Sequence, residues 1–246
     1  MNVVDERLEK KILSGADFDK VYNSSQGGCI VSFVNPYSYR VVSLCEDSSV
    51  VDDVDYWFSD GALLCGLIGF RRRQAIQRAS FDFSSVAKDV FSRCVAEKSR
   101  VAIVGGAPGE VDVAIQNINS IFPGIRFVFS SHGYLDVVAR DSVIDSLVKS
   151  RPDVVVVGMG TPAQEIFSIG CRRRLVSPAK IFTCGGFVTQ TASKPDYYHP
   201  LIKKTGLRWL QRAWEFPHVR KRLFNDYPSF FIKYLCDILS ERLKFN

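Results

Sequence analysis

Residues 154–165 read VVVVGMGTPAQE, an unbroken valine run, then a glycine-bearing loop, then residues that can open a helix. A strand apolar at every position suits a sheet covered on both faces, the setting of a parallel α/β sheet. The same unit occurs upstream, where residues 101–104 enter Gly105-Gly106-Ala107-Pro108-Gly109. Val111, Ile115, Ile118 and Phe122 then recur at helical spacing until Pro123-Gly124 stops them. Residues 29–34 (CIVSFV) and 125–129 predict further strands, and residues 180–182 a strand at an edge. Helices are expected from residue 36 to 45, from 163 onward, and over 137–148 with Val137, Ile144, Leu147 and Val148 inward.

This rhythm predicts an α/β fold with a doubly wound, largely parallel sheet and right-handed crossovers over residues 1–198. Ligands of such sheets bind beyond the carboxyl ends of the strands, and both glycine loops fall there. After a polar connection over residues 189–200, helical segments near 207–216, 219–224 and 229–243 predict a C-terminal appendage over 199–246. With 46% hydrophobic and 24% charged residues, the chain is neither disordered nor fibrous in composition. Seven scattered cysteines without a CxxC pair, and three histidines in unlike surroundings, speak against a disulfide framework or a zinc site. They suit a reduced, cytoplasmic protein. No run of apolar residues is long enough to span a bilayer.

The charge is uneven. Residues 199–246 hold ten Lys/Arg against four Asp/Glu and so supply the whole net charge of +6. They also hold nine aromatics, including Trp209, Trp214, Phe216, Tyr227 and Phe231. Such a tail suits an anionic membrane surface, a nucleic acid or a phosphate-bearing ligand. It equally suits a helical hairpin whose aromatics dock on the body. Lys204, Arg208 and Arg212 recur on one helical face, followed by Arg220, Lys221 and Arg222. Arginine forks match phosphate oxygens two at a time, so a diphosphate clamp is physically reasonable. Tyr227, Phe231, Tyr234 and Ile238 form an apolar stripe for internal docking or a bilayer interface.

Gly105, Gly106 and Gly109 allow close backbone approach to an anion, or simply a tight turn into a helix. Gly158 and Gly160 offer the same more weakly. Glu165, beside Gln164, either complements the start of its helix or touches a ligand. Asp60-Gly61, between YWF and an apolar run, is either a turn or a general base. Asn35-Pro36 either enters a helix or presents an amide to a sugar or base. The acidic residues Asp52, Asp53 and Asp55 read as a solvated loop, and no Asp-x-Asp metal clamp stands at a strand end.

Together these segments resemble the WecG/TagA/CpsF family of bacterial glycosyltransferases, from about Cys29 to Tyr234. The resemblance rests on Asn35-Pro36, Asp60-Gly61, GGAPG with Phe122-Pro123-Gly124, VVVVGMGTPAQE, and the tail pattern Gly206 to Arg212, Pro217 and Arg222. It implies an inverting transferase that takes a UDP-sugar and an acceptor sugar on polyprenyl diphosphate, at the inner face of the cytoplasmic membrane. It puts the general base at Asp60 and a pocket-shaping asparagine at Asn35. Donor contacts fall on the glycine loops, Gln164, Glu165, Arg78, Arg208, Arg212 and Arg222, and the tail closes the site and attaches the protein to the membrane. No cofactor or metal is expected, and a homo-oligomer is left open. The chain departs from the family pattern at Phe33, where threonine is frequent, and at Gln77 to Asp82 (QRASFD). An NAD-type oxidoreductase would share the fold rhythm but lacks the GxGxxG spacing. A nucleic-acid-binding protein would use the tail but leaves Asp60 and the glycine loops without a task.

Overall fold

The computed structural model describes residues 3–25, 27–193 and 220–244. Seven parallel strands form one sheet in the order β1-β3-β2-β7-β6-β4-β5. These are β1 (Ile12–Leu13), β2 (Cys29–Val34), β3 (Tyr56–Ser59), β4 (Arg100–Gly105), β5 (Arg126–Ser131), β6 (Val154–Gly158) and β7 (Lys180–Thr183). The valine run behaves as a strand covered twice. Val155 and Val157 face one core and Val154 and Val156 the other, because side chains alternate across a strand.

Helices on the first face include α1 (Glu6–Lys11), α3 (Pro36–Ser43), α4 (Ser49–Asp52), α5 (Ala62–Arg72), α8 (Val137–Lys149) and α9 (Ala163–Arg174). The second face carries α2 (Phe18–Ser24), α6 (Val86–Ala96), α7 (Glu110–Ile121) and α10 (Phe187–Ser193). Neighbouring strands β6 and β4 send their helices, α9 and α7, to opposite faces, and so do β2 and β7 with α3 and α10. Such reversals part the loops and leave a crevice at the strand ends.

Several expectations change in three dimensions. Residues 180–182 do not lie at an edge, since β7 pairs with both β2 and β6 in mid-sheet. Its four-residue length hid it, although Ile181 and Phe182 are fully buried. Val137 does not face inward, since it is 66% exposed, whereas Ile144 and Leu147 are buried in the core and Val148 packs against it as expected. Residues 189–193 are helical within α10 and not part of an extended connection. Asp53 and Asp55 are not merely solvated, because Arg173 and Arg172 bind them at 2.7 and 2.6 Å. Strands β1 and β3 are additional, and β3 puts Trp57 and Phe58 in the two cores.

A C-terminal helix, Tyr227–Lys244, follows a π-helical turn that Arg222 opens. Phe230, Tyr234 and Ile238 repeat every four residues and enter the first core, with Phe230 and Tyr234 ringing Tyr39 of α3. The docked stripe therefore runs through Phe230 and not Phe231, which is 37% exposed. Tyr234 and Tyr39 both donate to buried Glu9, whose other oxygen takes Arg71 of α5 at 2.8 Å. Arg208, Arg212 and the expected helical segment near 207–216 lie outside the described residues. Among the described residues no helix is long and apolar enough to cross a membrane.

Candidate active site

The strand ends surround a cavity of about 480 Å³, within the range of small-molecule sites. Asn35 enters after β2, Asp60 after β3, Gly106 after β4, Gly158, Gly160 and Gln164 around the end of β6, and Thr183 to Phe187 after β7. Phe33, Ser80, Asp82 and Tyr134 complete much of the wall.

Asp60 is placed by the sheet itself: its amide donates to the Val34 carbonyl at 2.8 Å, which extends the pairing of β2 with β3 by one bond. Gly61 then caps α5, with Pro36 only 3.3 Å from where a Cβ would stand. The turn reading and the functional reading of Asp60-Gly61 therefore occupy one and the same feature. Arg78 holds the aspartate from behind, Nε donating to its carbonyl at 2.9 Å and Nη2 to Oδ1 at 2.7 Å. Among the described residues Oδ2 accepts no hydrogen bond, and Asp60 lines the cavity.

The same Nη2 donates to Oδ2 of Asp82 at 2.9 Å and to the Ser80 hydroxyl. Arg78 thus stands between two carboxylates and does not line the cavity. Burial works against its charge, but Asp60 and Asp82 outweigh that and raise its pKa. Burial likewise pushes the Asp82 carboxyl up, and Arg78 with the Ser80 and Ser84 hydroxyls more than reverses the effect, leaving it below its ordinary value. Both Asp82 oxygens are occupied, so its chemistry is that of a fixed counter-charge.

Asn35 caps α3. Its Oδ1 accepts from the amides of Tyr37 and Ser38 at 3.0 and 3.1 Å, a reciprocal capping box with the Ser38 hydroxyl. The side-chain amide nitrogen is the part left to meet a ligand. In the GGAPG loop, Gly105 ends β4 so close to β6 that a Cβ would lie 2.7 Å from the Gly158 carbonyl oxygen. Gly106 reaches the cavity with φ +70°, whereas Gly105 and Gly109 lie outside its wall. The Ala107 amide, which an anion would use, instead donates to Glu110 at 2.7 Å, and Thr189 donates to the same carboxylate oxygen.

Gln164 lies at the cavity floor with both ends occupied. Its Nε2 donates to Glu165 at 2.9 Å and to Thr161 at 3.2 Å, while its Oε1 accepts from the Gly185 amide at 3.0 Å. Glu165 is fully buried beneath it and does not reach the cavity. The third glycine loop, Cys184-Gly185-Gly186 after β7, carries a signal that the sequence reading missed: KIFT before CGG, a short apolar run entering paired glycines. Asp82 enters that reading only as the end of the QRASFD segment, and its place in the wall depends on Arg78.

The lining as described includes the carboxylates Asp60 and Asp82 and no lysine or arginine. The acidic residues Asp53 and Asp55 lie before β3, at the opposite end of the sheet from the cavity.

A model of the glycosyl transferase WecG/TagA/CpsF family matches residues 15–244. The chain is 40% identical over 211 residues to a UDP-Gal:alpha-D-GlcNAc-diphosphoundecaprenol beta-1,4-galactosyltransferase of Shigella boydii, covering 85% of this chain and 87% of that protein. It is 24% identical over 229 residues to an N-acetylglucosaminyldiphosphoundecaprenol N-acetyl-beta-D-mannosaminyltransferase of Bacillus spizizenii, covering 92% and 85%. A protein of the same description from Bacillus subtilis matches at 24% over 227 residues, covering 91% and 84%. With its sheet order, its strand-end cavity and a family match over nearly its whole length, the chain belongs to the WecG/TagA/CpsF family of glycosyltransferases.

Proposed function

We propose that this chain transfers a hexose from a UDP-sugar to a sugar on polyprenyl diphosphate, with inversion, in the assembly of a cell-surface polysaccharide. The observation that carries this reading is the Asp60 carboxylate, fixed through one oxygen by Arg78 at the wall of a cavity of nucleotide-sugar scale. The acceptor hydroxyl gives its proton to Asp60 Oδ2 as its oxygen attacks the anomeric carbon. The UDP oxygen leaves from the opposite face, so an α-linked donor gives a β-linked product in one displacement. The Shigella relative's name describes a β-linkage made from UDP-Gal, which supports galactose as the first donor to try.

A departing diphosphate needs cations positioned in advance. The tail's ten Lys/Arg are the natural source, with Arg208, Arg212 and Arg222 as the closing group. The tail also supports peripheral attachment at the inner face of the membrane. Phe224, Ile232, Leu239 and Leu243 are each more than half exposed, and they stand beside basic residues able to meet anionic lipid.

The test is transfer from UDP-galactose, UDP-glucose and UDP-N-acetylmannosamine to a synthetic N-acetylglucosaminyl diphosphate lipid, with NAD and short oligonucleotides as binding controls. A β-linked disaccharide lipid is expected. An α-linked product would overturn inversion, and binding of NAD or oligonucleotide in place of UDP would overturn the whole reading.

A further inference from the structure

Beneath the cavity floor lies a carboxyl group that the transfer chemistry does not use. Glu165 is 0% exposed, and its Oε1 takes three donors: Ser32 of β2 at 2.8 Å, Gln164 at 2.9 Å and Thr161 at 3.3 Å. Ser32 is also 2.8 Å from the Thr183 hydroxyl at the end of β7. Through Gln164 the network reaches the Gly185 amide. Directly, or through Ser32 and Gln164, one side chain therefore links β2 with the loop after β6 and the end of β7, three strands whose loops build the cavity.

We propose that Glu165 is a positioning residue of the transferase, fixing the Gln164 amide and the Thr161 hydroxyl so that the loops after β6 and β7 keep the shape that receives the donor. This rests on the transferase reading. The amide of Gln164 has two distinguishable orientations, and only one places Nε2 on Glu165 and Oε1 on the Gly185 amide. Thr161, Gly160, Gly185 and Gln164 itself all line the cavity, so a flipped or released amide changes the floor directly.

The surroundings of Glu165 favour its uncharged form. Every partner named above is neutral, and among the described residues no cation pairs with it. Its Oε2 is buried with no partner, a costly place for a full charge. Burial accordingly raises its pKa, although the Gln164, Ser32 and Thr161 hydrogen bonds pull the other way. A neutral amide of the same length should serve in its place.

The test compares Glu165→Gln with Glu165→Ala in the full-length protein by melting temperature, UDP affinity and transfer kinetics. Glu165→Gln should keep UDP affinity and kcat within about threefold of wild type, because the oxygen that takes the three donors is retained. Glu165→Ala, if folded by circular dichroism, should lose about 100-fold in kcat/KM through misplacement of the floor, with UDP affinity falling too. At pH 7.5 Glu165→Gln should melt no lower than wild type, and its advantage should shrink as the pH falls toward the ordinary glutamate value of 4.5. A Gln variant as impaired as the folded Ala variant would show that the charge is needed, and a fully active Ala variant would remove the positioning role. Either result overturns the proposal while wild-type transfer stands. A wild type that neither binds UDP nor transfers any sugar would overturn the transferase reading and the task assigned to Gln164 with it.

Discussion

Nη2 of Arg78 lies 2.7 Å from Oδ1 of Asp60, and among the described residues Oδ2 has no hydrogen-bond partner. The contact restrains the side chain through one carboxylate oxygen, and it does so at the wall of the strand-end cavity. Because Arg78 also serves Asp82, one guanidinium answers two carboxylates and the cluster keeps a net negative charge. A carboxylate held in this way needs little reorganisation to act in the role proposed for it.

Asp60→Asn should lower kcat by about 100- to 10,000-fold, the usual share of a positioned general base. UDP affinity should hold, because the base acts on the acceptor. Steady-state kinetics with a lipid-linked acceptor, together with calorimetric UDP binding, check both halves. Near-normal turnover would remove Asp60 from its role.

Arg78→Ala should cost stability as well as rate, since it takes the counter-charge from the mostly buried Asp82 carboxylate. The expected loss is roughly 1.5–3 kcal/mol, the worth of a hydrogen bond to a charged group, because the Ser80 and Ser84 donors to Asp82 remain. Arg78→Lys should recover part of the stability but less of the rate. An ammonium cannot reproduce the fork that grips both the carbonyl and Oδ1 of Asp60. Urea unfolding and kcat, measured on the same preparations, separate the two effects.

Asp82 gives a pH dependence with a definite sign. Its folded pKa lies below the ordinary 3.8, so its ionised form stabilises the fold above that value. The contribution is lost as the pH falls through the lower folded value. Asp82→Asn should therefore be less stable than wild type at neutral pH, with the gap closing below about pH 4. A gap that stayed constant down to pH 3 would dissociate Asp82 from Arg78.

Transfer should survive EDTA without added metal. The acidic residues Asp53 and Asp55 are tied to Arg173 and Arg172 at the far end of the sheet, and Asp82 has both oxygens engaged by protein groups. Activity that vanished with chelator and returned with manganese would refute this.

Gly158→Ala should destabilise the cavity floor by roughly 1–3 kcal/mol, as overpacking of a tight site does. A Cβ there would stand 2.8 Å from both the Gly185 carbonyl oxygen and the Cys184 Sγ. Thermal melting checks the loss, and a rise in the KM for the UDP-sugar should accompany it.

Residue order alone established the parallel sheet and pointed to the strand ends as the place of the cavity. An all-valine strand is stable only between two helical layers, and glycine loops after such strands need no distant partner to form. It placed Asn35 at the end of a strand, whereas β3, which brings Asp60 beside it, emerged only in the fold. Packing in three dimensions was needed to show that Arg78 holds Asp60 from behind and that Glu165 lies under the floor, not in the cavity. It alone put β7 in mid-sheet and docked the C-terminal helix through Phe230. Each of these depends on which distant segments are brought together. Strand order and the burial of a charged side chain are properties of packing, and the spacing of residues along a chain does not carry them.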